Sequence, residues 1–279
     1  MTAPDLIIPS RDGTPIAVFR SGAADAPPLI LVHGASADHT TFRVVGPMLA
    51  ARFHVHAMDR RGRGASGDTL PYTIEREAED IVAVASSLAR KGGVDGVDVL
   101  GHSFGGRCAL GAALMDPVIR RVISYEGAPA SAGRPYWEGD LADRLAQLAD
   151  AGRLDELLPL FLERVVGMTP ADLARYRADP VWPHRVRAAG TIARELSAEA
   201  ADTASLERMR AITQPVLQVL GGDSTATFAS ATHALDSVLR HGRVVVIPGA
   251  RHAAHHTHPD AVVRAATAFL LEGPDGIVT

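Results

Sequence analysis

Six short apolar runs, each ending in turn residues, constrain the fold of this chain more than any other feature. Within each run the apolar residues occupy consecutive positions, which is typical of strands buried on both faces of a parallel sheet. The runs are PPLILVHG (27–34), FHVHAMD (53–59), VDVLGHS (97–103), RVISYEG (121–127), PVLQVLGG (215–222) and RVVVIPG (243–249).

Helical patterns separate these runs. Apolar residues recur at helical spacing over 74–90, and 104–115 also has a helical pattern. The segment 259–271 starts with Pro259 and Asp260, which are favoured in the first turn of a helix. This alternation of strands and helices predicts an α/β fold with a doubly wound, mostly parallel sheet.

One segment breaks the alternation. Between residues 130 and 210 we find no convincing strand pattern, but helical stretches such as 140–166. We therefore expect a helical cap, residues 130–210, inserted into one core domain that is formed by residues 1–129 and 211–279. The cap contains Tyr136, Trp137, Tyr176 and Trp182. These aromatic side chains either form the core of the cap or line an apolar substrate cavity.

Composition bounds the partners and the compartment. The chain has 279 residues, of which 47% are apolar and 22% charged, as expected for a globular protein with a real core. Its net charge of −4 gives no electrostatic reason to expect nucleic acid or a membrane as partner. Cys108 is the only cysteine, which excludes internal disulfides and favours a reducing compartment. Without a signal-peptide pattern or a long apolar run, we expect a cytoplasmic protein, and the oligomeric state stays open between monomer and homodimer.

The segment GHSFGG, residues 101–106, carries the strongest chemical signal. It has the form G-x-S-x-G and lies between a predicted strand and a predicted helix. In such a sharp turn the flanking glycines prevent collisions, and Ser103 is exposed at the N-terminus of the next helix. Developing negative charge is favoured there, so Ser103 is the predicted nucleophile.

Four motifs in order resemble those of the α/β-hydrolase fold superfamily. They are LVHGASADHTTF (31–42), MDRRGRGASG (58–67), GHSFGG and IPGARHAAHHTHPDAVVRAATAFL (247–270). The resemblance implies an oxyanion hole formed by the backbone amides of Phe104 and Ala35, with Ser36 as an alternative to Ala35. It also implies that His33 braces this loop.

A histidine must accept the proton of Ser103, because its pKa lies near neutrality. His252 matches the P-G-x-x-H pattern of the superfamily and is the predicted base. His255 and His256 are expected to start the next helix, and the His-rich tract lacks the carboxylate or thiol ligands of a metal site. His102 is expected to face away from the nucleophile, as its superfamily position implies.

The triad acid has two candidates. The superfamily usually places it after the strand that follows the cap, but there Ser224 occupies the expected position and Asp223 comes one residue early. A shift by one residue near a strand end points the side chain to the opposite side. Glu126 ends the strand before the cap, where some haloalkane dehalogenases and the zearalenone lactonase resemble this chain in carrying the acid. We predict Glu126 and keep Asp223 as the alternative.

The cap segment DPVWPHRVRAAGTI (179–192) also resembles a short part of that lactonase's lid. This implies that Trp182 packs over the substrate, and we add Tyr136 and Trp137 as predicted substrate-binding residues.

These residues predict a serine hydrolase without a cofactor that cleaves a carboxylic ester or lactone of an apolar small molecule through a covalent acyl-enzyme. The alternatives are a C–C bond hydrolase, perhydrolase or amidase of the same fold, and a non-catalytic protein that binds a ligand or signalling partner. Haloalkane dehalogenase and epoxide hydrolase chemistry is disfavoured, because it needs aspartate where this chain has Ser103.

Overall fold

The apolar runs form the middle of a sheet that has eight strands within the described residues. The computed structural model describes residues 3–131, 136–137, 139–199 and 205–272. The strands are Leu6–Pro9 (β1), Pro15–Ser21 (β2), Pro28–Val32 (β3), His54–Met58 (β4), Val97–His102 (β5), Ile119–Tyr125 (β6), Val216–Gly221 (β7) and Gly242–Ile247 (β8). Their order is β1-β2-β4-β3-β5-β6-β7-β8, with β1–β2 and β2–β4 antiparallel and the remaining pairs parallel. The predicted α/β fold class is confirmed.

Helices cover both faces of this sheet. Those of the described chain are Val45–Leu49 (α1), Ile74–Gly92 (α2), Phe104–Met115 (α3), Leu141–Asp150 (α4), Leu154–Arg164 (α5), Pro170–Arg177 (α6), Trp182–Ala188 (α7), Ile192–Glu199 (α8), Ala226–Asp236 (α9), Ala254–Thr257 (α10) and Pro259–Thr267 (α11). One apolar cluster joins α2 and α3 to one face of the sheet, and a second joins α1 and α11 to the other. None of these helices has the length and apolarity needed to cross a membrane.

The register of the central strands brings distant parts of the sequence to one edge. His102 pairs with Tyr125, and Tyr125 pairs with Val219 on the next strand. Because β5, β6 and β7 are parallel and adjacent, their carboxyl ends lie side by side. The residues that follow them, Ser103 and Glu126 among them, therefore meet above the sheet, where open α/β sheets bind ligands.

The helices of the predicted cap have an apolar core of their own. Helices α4 to α8 lie in this cap, and their buried side chains form a separate cluster. The members of that cluster include Leu145, Leu157, Leu158, Phe161, Leu162, Ala189, Ile192 and Leu196. Polar links join the cap to the core domain: Arg185 of α7 binds Asp38 at 2.9 Å, and Glu195 of α8 binds Arg60 at 2.5 Å.

Candidate active site

Ser103 occupies the turn between β5 and α3 in a conformation that few residues adopt. Its φ is 54° and its ψ is −127°, outside the regions that L-residues prefer. The glycines make this turn sterically feasible: a Cβ at Gly101 would lie 2.4 Å from the carbonyl oxygen of Gly105, and one at Gly105 would lie 2.3 Å from that of Val32. The amide of Ser103 donates to the carbonyl of Tyr125 at 2.7 Å, which fixes the turn against β6.

Glu126 is in direct contact with His252. Its Oε2 lies 2.5 Å from His252 Nδ1, and the glutamate side chain is buried. Its other oxygen, Oε1, accepts hydrogen bonds from the amide of Gly221 at 2.8 Å and from Ser224 Oγ at 2.5 Å. The backbone has a φ of 47°, unusual for a residue other than glycine. A buried carboxylate held by these contacts is fixed in position to orient the imidazole.

The alternative acid, Asp223, lies elsewhere. Its side chain is exposed, and its amide donates to the carbonyl of Ala250 at 2.8 Å. Within the described chain its carboxylate makes no hydrogen bond or ion pair. Ser224, at the usual position of the acid, holds Glu126 instead, and a Cβ at Gly221 would lie only 2.7 Å from Ser224 Oγ.

Tyr125 and Phe228 hold the loop that carries His252, a role that the sequence patterns did not predict for either residue. Tyr125 accepts a hydrogen bond from the amide of Ala254 at 2.8 Å and donates its own proton to the carbonyl of Arg251. Burial, followed by the charge of Glu126, raises the pKa of Tyr125, so this donor stays protonated. The ring of Phe228 stacks on His252 with a centroid distance of 4.4 Å.

The ring of His102 is directed towards the loop that carries His252. Its Nε2 lies 2.8 Å from the carbonyl oxygen of His252, and it lines the same cavity as Ser103. Burial, followed by the charge of His252, lowers the pKa of His102 well below its ordinary value, so the ring is neutral with its proton on Nε2.

The loop after β3 approaches Ser103 closely. A Cβ at Gly34 would lie 2.9 Å from Ser103 Cβ, and Ser36 has a φ of 50°. His33 braces the loop, since its Nε2 accepts from the amide of Arg60 at 3.0 Å and its Nδ1 lies 2.9 Å from the carbonyl oxygen of Gly34. Burial, followed by the charge of Arg60, lowers the pKa of His33, so that it acts here as a neutral ring.

The two predicted oxyanion donors lie beside the nucleophile. Ala35 and Phe104 line a cavity together with Ser103. Neither of their amides donates to an acceptor within the described residues, so both remain available to an oxygen of a substrate. Arg60 supports them from behind, because its Nη1 donates to the carbonyl of Gly34 at 3.2 Å and its guanidinium lies 4.6 Å from the ring centre of Phe104.

Ser103 opens onto two cavities of unequal size. The smaller, of about 40 Å³, lies between the nucleophile, the oxyanion loop and cap residues such as Ile192 and Leu196. The larger, of about 600 Å³, is also lined by His252. Ser103 Oγ makes no hydrogen bond within the described chain, but it shares this larger cavity with the histidine.

The predicted cap aromatics divide between two environments. Tyr136 lines the smaller cavity, and its hydroxyl donates to the carbonyl of Ala128 at 2.8 Å. Trp137 and Trp182 pack against the apolar cluster of the cap, where Trp182 makes an edge contact with Tyr176 at 5.5 Å between ring centroids. Neither tryptophan is among the described residues that line the two cavities, so their predicted contact with substrate stays a prediction.

Ser224 gives a first test of the arrangement. We expect Ser224→Ala to lower kcat about tenfold with little change in KM, because one hydrogen bond to a charged group contributes about 1.5–3 kcal/mol and Gly221 still holds the carboxylate. Steady-state kinetics on p-nitrophenyl acetate measures the effect. Asp223→Ala is the matched control, since its side chain is exposed; equal kcat values for the two variants would contradict this role of Ser224.

The motif order, the sheet and the elbow turn agree with one known family. The profile of the Alpha/beta hydrolase family matches residues 29–265, most of the chain. The chain belongs to the alpha/beta hydrolase family. A crystal structure of an alpha/beta hydrolase from Sphaerobacter thermophilus superposes on it with a TM-score of 0.81 at 32% identity, covering 95% of this chain and 99% of that one.

Other members of the alpha/beta hydrolase family resemble the chain in sequence. The 2-(acetamidomethylene)succinate hydrolase of Mesorhizobium japonicum is 29% identical, over 88% of this chain and 88% of the relative. A pimeloyl-[acyl-carrier protein] methyl ester esterase of Neisseria meningitidis is 30% identical, over 83% of this chain and 88% of the relative. The enol-lactonase of Burkholderia xenovorans shares the fold, with a TM-score of 0.77 at 21% identity over 95% and 99% of the two chains. These comparisons support a hydrolase. The relatives are named for different substrates, so they do not identify the bond that this chain cleaves.

Proposed function

We propose that this protein is a serine hydrolase that cleaves a carboxylic ester or lactone, with Ser103 as nucleophile, His252 as base and Glu126 as acid. The observation that carries the proposal is the 2.5 Å contact of Glu126 Oε2 with His252 Nδ1, beside a serine in a nucleophile elbow. With Nδ1 donating to the carboxylate, Nε2 of His252 is the atom left to accept a proton.

The steps follow from this tautomer. Ser103 Oγ forms a bond to the carbonyl carbon as His252 Nε2 takes its proton, and the amides of Ala35 and Phe104 stabilise the resulting oxyanion. The oxyanion collapses, the bond to the leaving oxygen breaks, and His252 returns the proton to that oxygen. A water then gives a proton to His252 and its hydroxide to the acyl carbon, and Ser103 leaves with the proton from His252.

Amide hydrolysis is the second candidate. The Mesorhizobium japonicum relative is named for a substrate that carries an acetamido group. The same residues suffice for an amide, because His252 protonates a leaving nitrogen as it does a leaving oxygen. The ester remains the first candidate, since its leaving group departs with less need for protonation.

A fluorophosphonate probe and p-nitrophenyl acetate test the proposal together. We expect the probe to label Ser103 and to inhibit hydrolysis of the acetate in parallel, because the activated hydroxyl attacks both reagents. Mass spectrometry of the labelled peptide locates the adduct, and Ser103→Ala is the control that should carry no label. A folded protein that is neither labelled nor active on the acetate would overturn the proposal and favour a non-catalytic ligand-binding role.

A further inference from the structure

Ser103 stands between two cavities that differ about fifteenfold in volume. The smaller, about 40 Å³, is bounded by the oxyanion loop, Phe228 and side chains of the cap. The larger, about 600 Å³, runs along the histidine loop and is lined by residues such as Leu162, Met168 and Tyr176. A substrate with its carbonyl at Ser103 must place its two halves in these two spaces.

The position of His252 decides which half enters which cavity. In the proposed reaction His252 protonates the leaving oxygen, so that oxygen must be adjacent to the imidazole. His252 lines the larger cavity and is not among the described residues that line the smaller one. The smaller cavity instead contains Phe104, one of the two oxyanion donors. The leaving alcohol therefore belongs in the larger cavity and the acyl substituent in the smaller one.

The size of the smaller cavity then limits the acyl group. The smaller cavity measures about 40 Å³ and the larger about 600 Å³, so the shorter half of the substrate fits the smaller cavity and a long chain does not. Its walls are difficult to displace, because Phe161, Ile192 and Leu196 belong to the packed apolar cluster of the cap. The buried carboxylate of Glu195 also lines it, which is unfavourable for a long apolar chain.

We propose that the substrates of this hydrolase are esters of a short acyl group, such as acetyl or propionyl, with a considerably larger alcohol. This inference rests on the proposed function and narrows it. It disfavours large-ring lactones, because opening such a ring at Ser103 would require several atoms of its acyl side to enter the smaller cavity.

Two isomeric esters test the assignment directly. Hexyl acetate and methyl heptanoate have the same formula and differ only in which side of the carbonyl carries the long chain. We expect kcat/KM for hexyl acetate to exceed that for methyl heptanoate about 100-fold, within the range that steric rejection in a pocket produces. Equal rates, or a preference for methyl heptanoate, would overturn the assignment.

Wall variants extend the test. Val165 and Leu196 line the smaller cavity, whereas Leu162 lines the larger one. We expect Val165→Ala, and separately Leu196→Ala, to increase the ratio of p-nitrophenyl hexanoate to acetate hydrolysis about tenfold. The matched Leu162→Ala variant should change the rate with hexyl acetate. It should leave the ratio of p-nitrophenyl hexanoate to p-nitrophenyl acetate hydrolysis unchanged. An unchanged ratio in both smaller-cavity variants, or a larger change in Leu162→Ala, would contradict the proposal.

Failure of this inference can be distinguished from failure of the proposed function. Labelling of Ser103 by the fluorophosphonate and turnover of p-nitrophenyl acetate report the serine mechanism alone. If both occur and methyl heptanoate is the better isomer, the serine hydrolase stands and the two cavities have exchanged roles. If neither occurs, the proposed mechanism fails, and the substrate assignment fails with it.

Discussion

Replacing Glu126 by glutamine is expected to lower kcat about 10⁴-fold with little change in KM. The substitution preserves the size of the side chain but removes the negative charge that lies 2.5 Å from His252 Nδ1. Without that charge the imidazole loses the partner that keeps Nε2 free to accept a proton and that stabilises the cation formed in the transition state. Single-turnover and steady-state kinetics on p-nitrophenyl acetate measure the loss.

The control for this variant is Asp223→Asn, which we expect to change kcat less than about twofold, as is usual for an exposed site. The double variant Glu126→Gln with Ser224→Asp gives a second measurement. An aspartate at 224 places a carboxylate at the usual acid position and should restore part of the lost kcat. A larger loss in Asp223→Asn than in Glu126→Gln would reject Glu126 as the acid.

The identity of the acid illustrates what the sequence could predict. Spacing alone showed that Asp223 lies one residue before the usual acid position, and the resemblance to members with the acid one strand earlier pointed to Glu126; the structure brings Glu126 and His252 into contact. The hydrogen bond from Ser224 to Glu126 was beyond that reasoning, because it joins residues 98 positions apart through the adjacent ends of β6 and β7. Sequence spacing identifies which strand ends carry polar side chains, but the pairing of those side chains depends on register and backbone torsions.

In the fold, too, some elements could be predicted from the sequence and others could not. The helix predicted over 104–115 has the same bounds as α3, because a glycine turn and an aspartate delimit a continuous apolar pattern. The antiparallel strands β1 and β2 were not predicted, since only one of the four residues of β1 is buried and the strand lies at the edge of the sheet. Helix α9 was also missed, because its apolar residues show little helical periodicity.

A buried ionic cluster between cap and core was beyond sequence reasoning as well. Glu195 of α8 lies 2.5 Å from both Arg60 Nη2 and Arg63 Nη2, and Arg60 also binds Glu77 at 2.6 Å. Glu195 is more than 130 positions from both arginines, and all four side chains are buried. Arg60 in turn contacts Gly34, immediately before the predicted oxyanion donor Ala35. The position of the cap is thereby connected to the oxyanion loop.

Glu195→Gln is expected to lower the free energy of unfolding by about 3 kcal/mol, since it removes the carboxylate that pairs with the buried guanidinium of Arg63, whereas Arg60 keeps Glu77. The matched control is Asp68→Asn, which breaks the ion pair between Arg194, also of α8, and a core loop at 2.7 Å. That pair is partly exposed, with 24% and 38% of the two side chains accessible, and should contribute less than about 1 kcal/mol. Urea unfolding followed by circular dichroism measures both changes.

The difference between wild type and Glu195→Gln should also depend on pH. Burial alone would raise the pKa of Glu195, but the charges of Arg60 and Arg63 outweigh it and lower that pKa. A carboxyl whose pKa is lowered on folding stabilises the protein above its unfolded pKa of about 4.5, and this contribution is lost as the pH falls further. We therefore expect the full difference at pH 7 and a smaller one below about pH 4.5. The role assigned to this buried cluster would be contradicted if Glu195→Gln and Asp68→Asn lowered the free energy of unfolding equally at pH 7. It would also be contradicted if the difference in stability between wild type and Glu195→Gln grew as the pH falls.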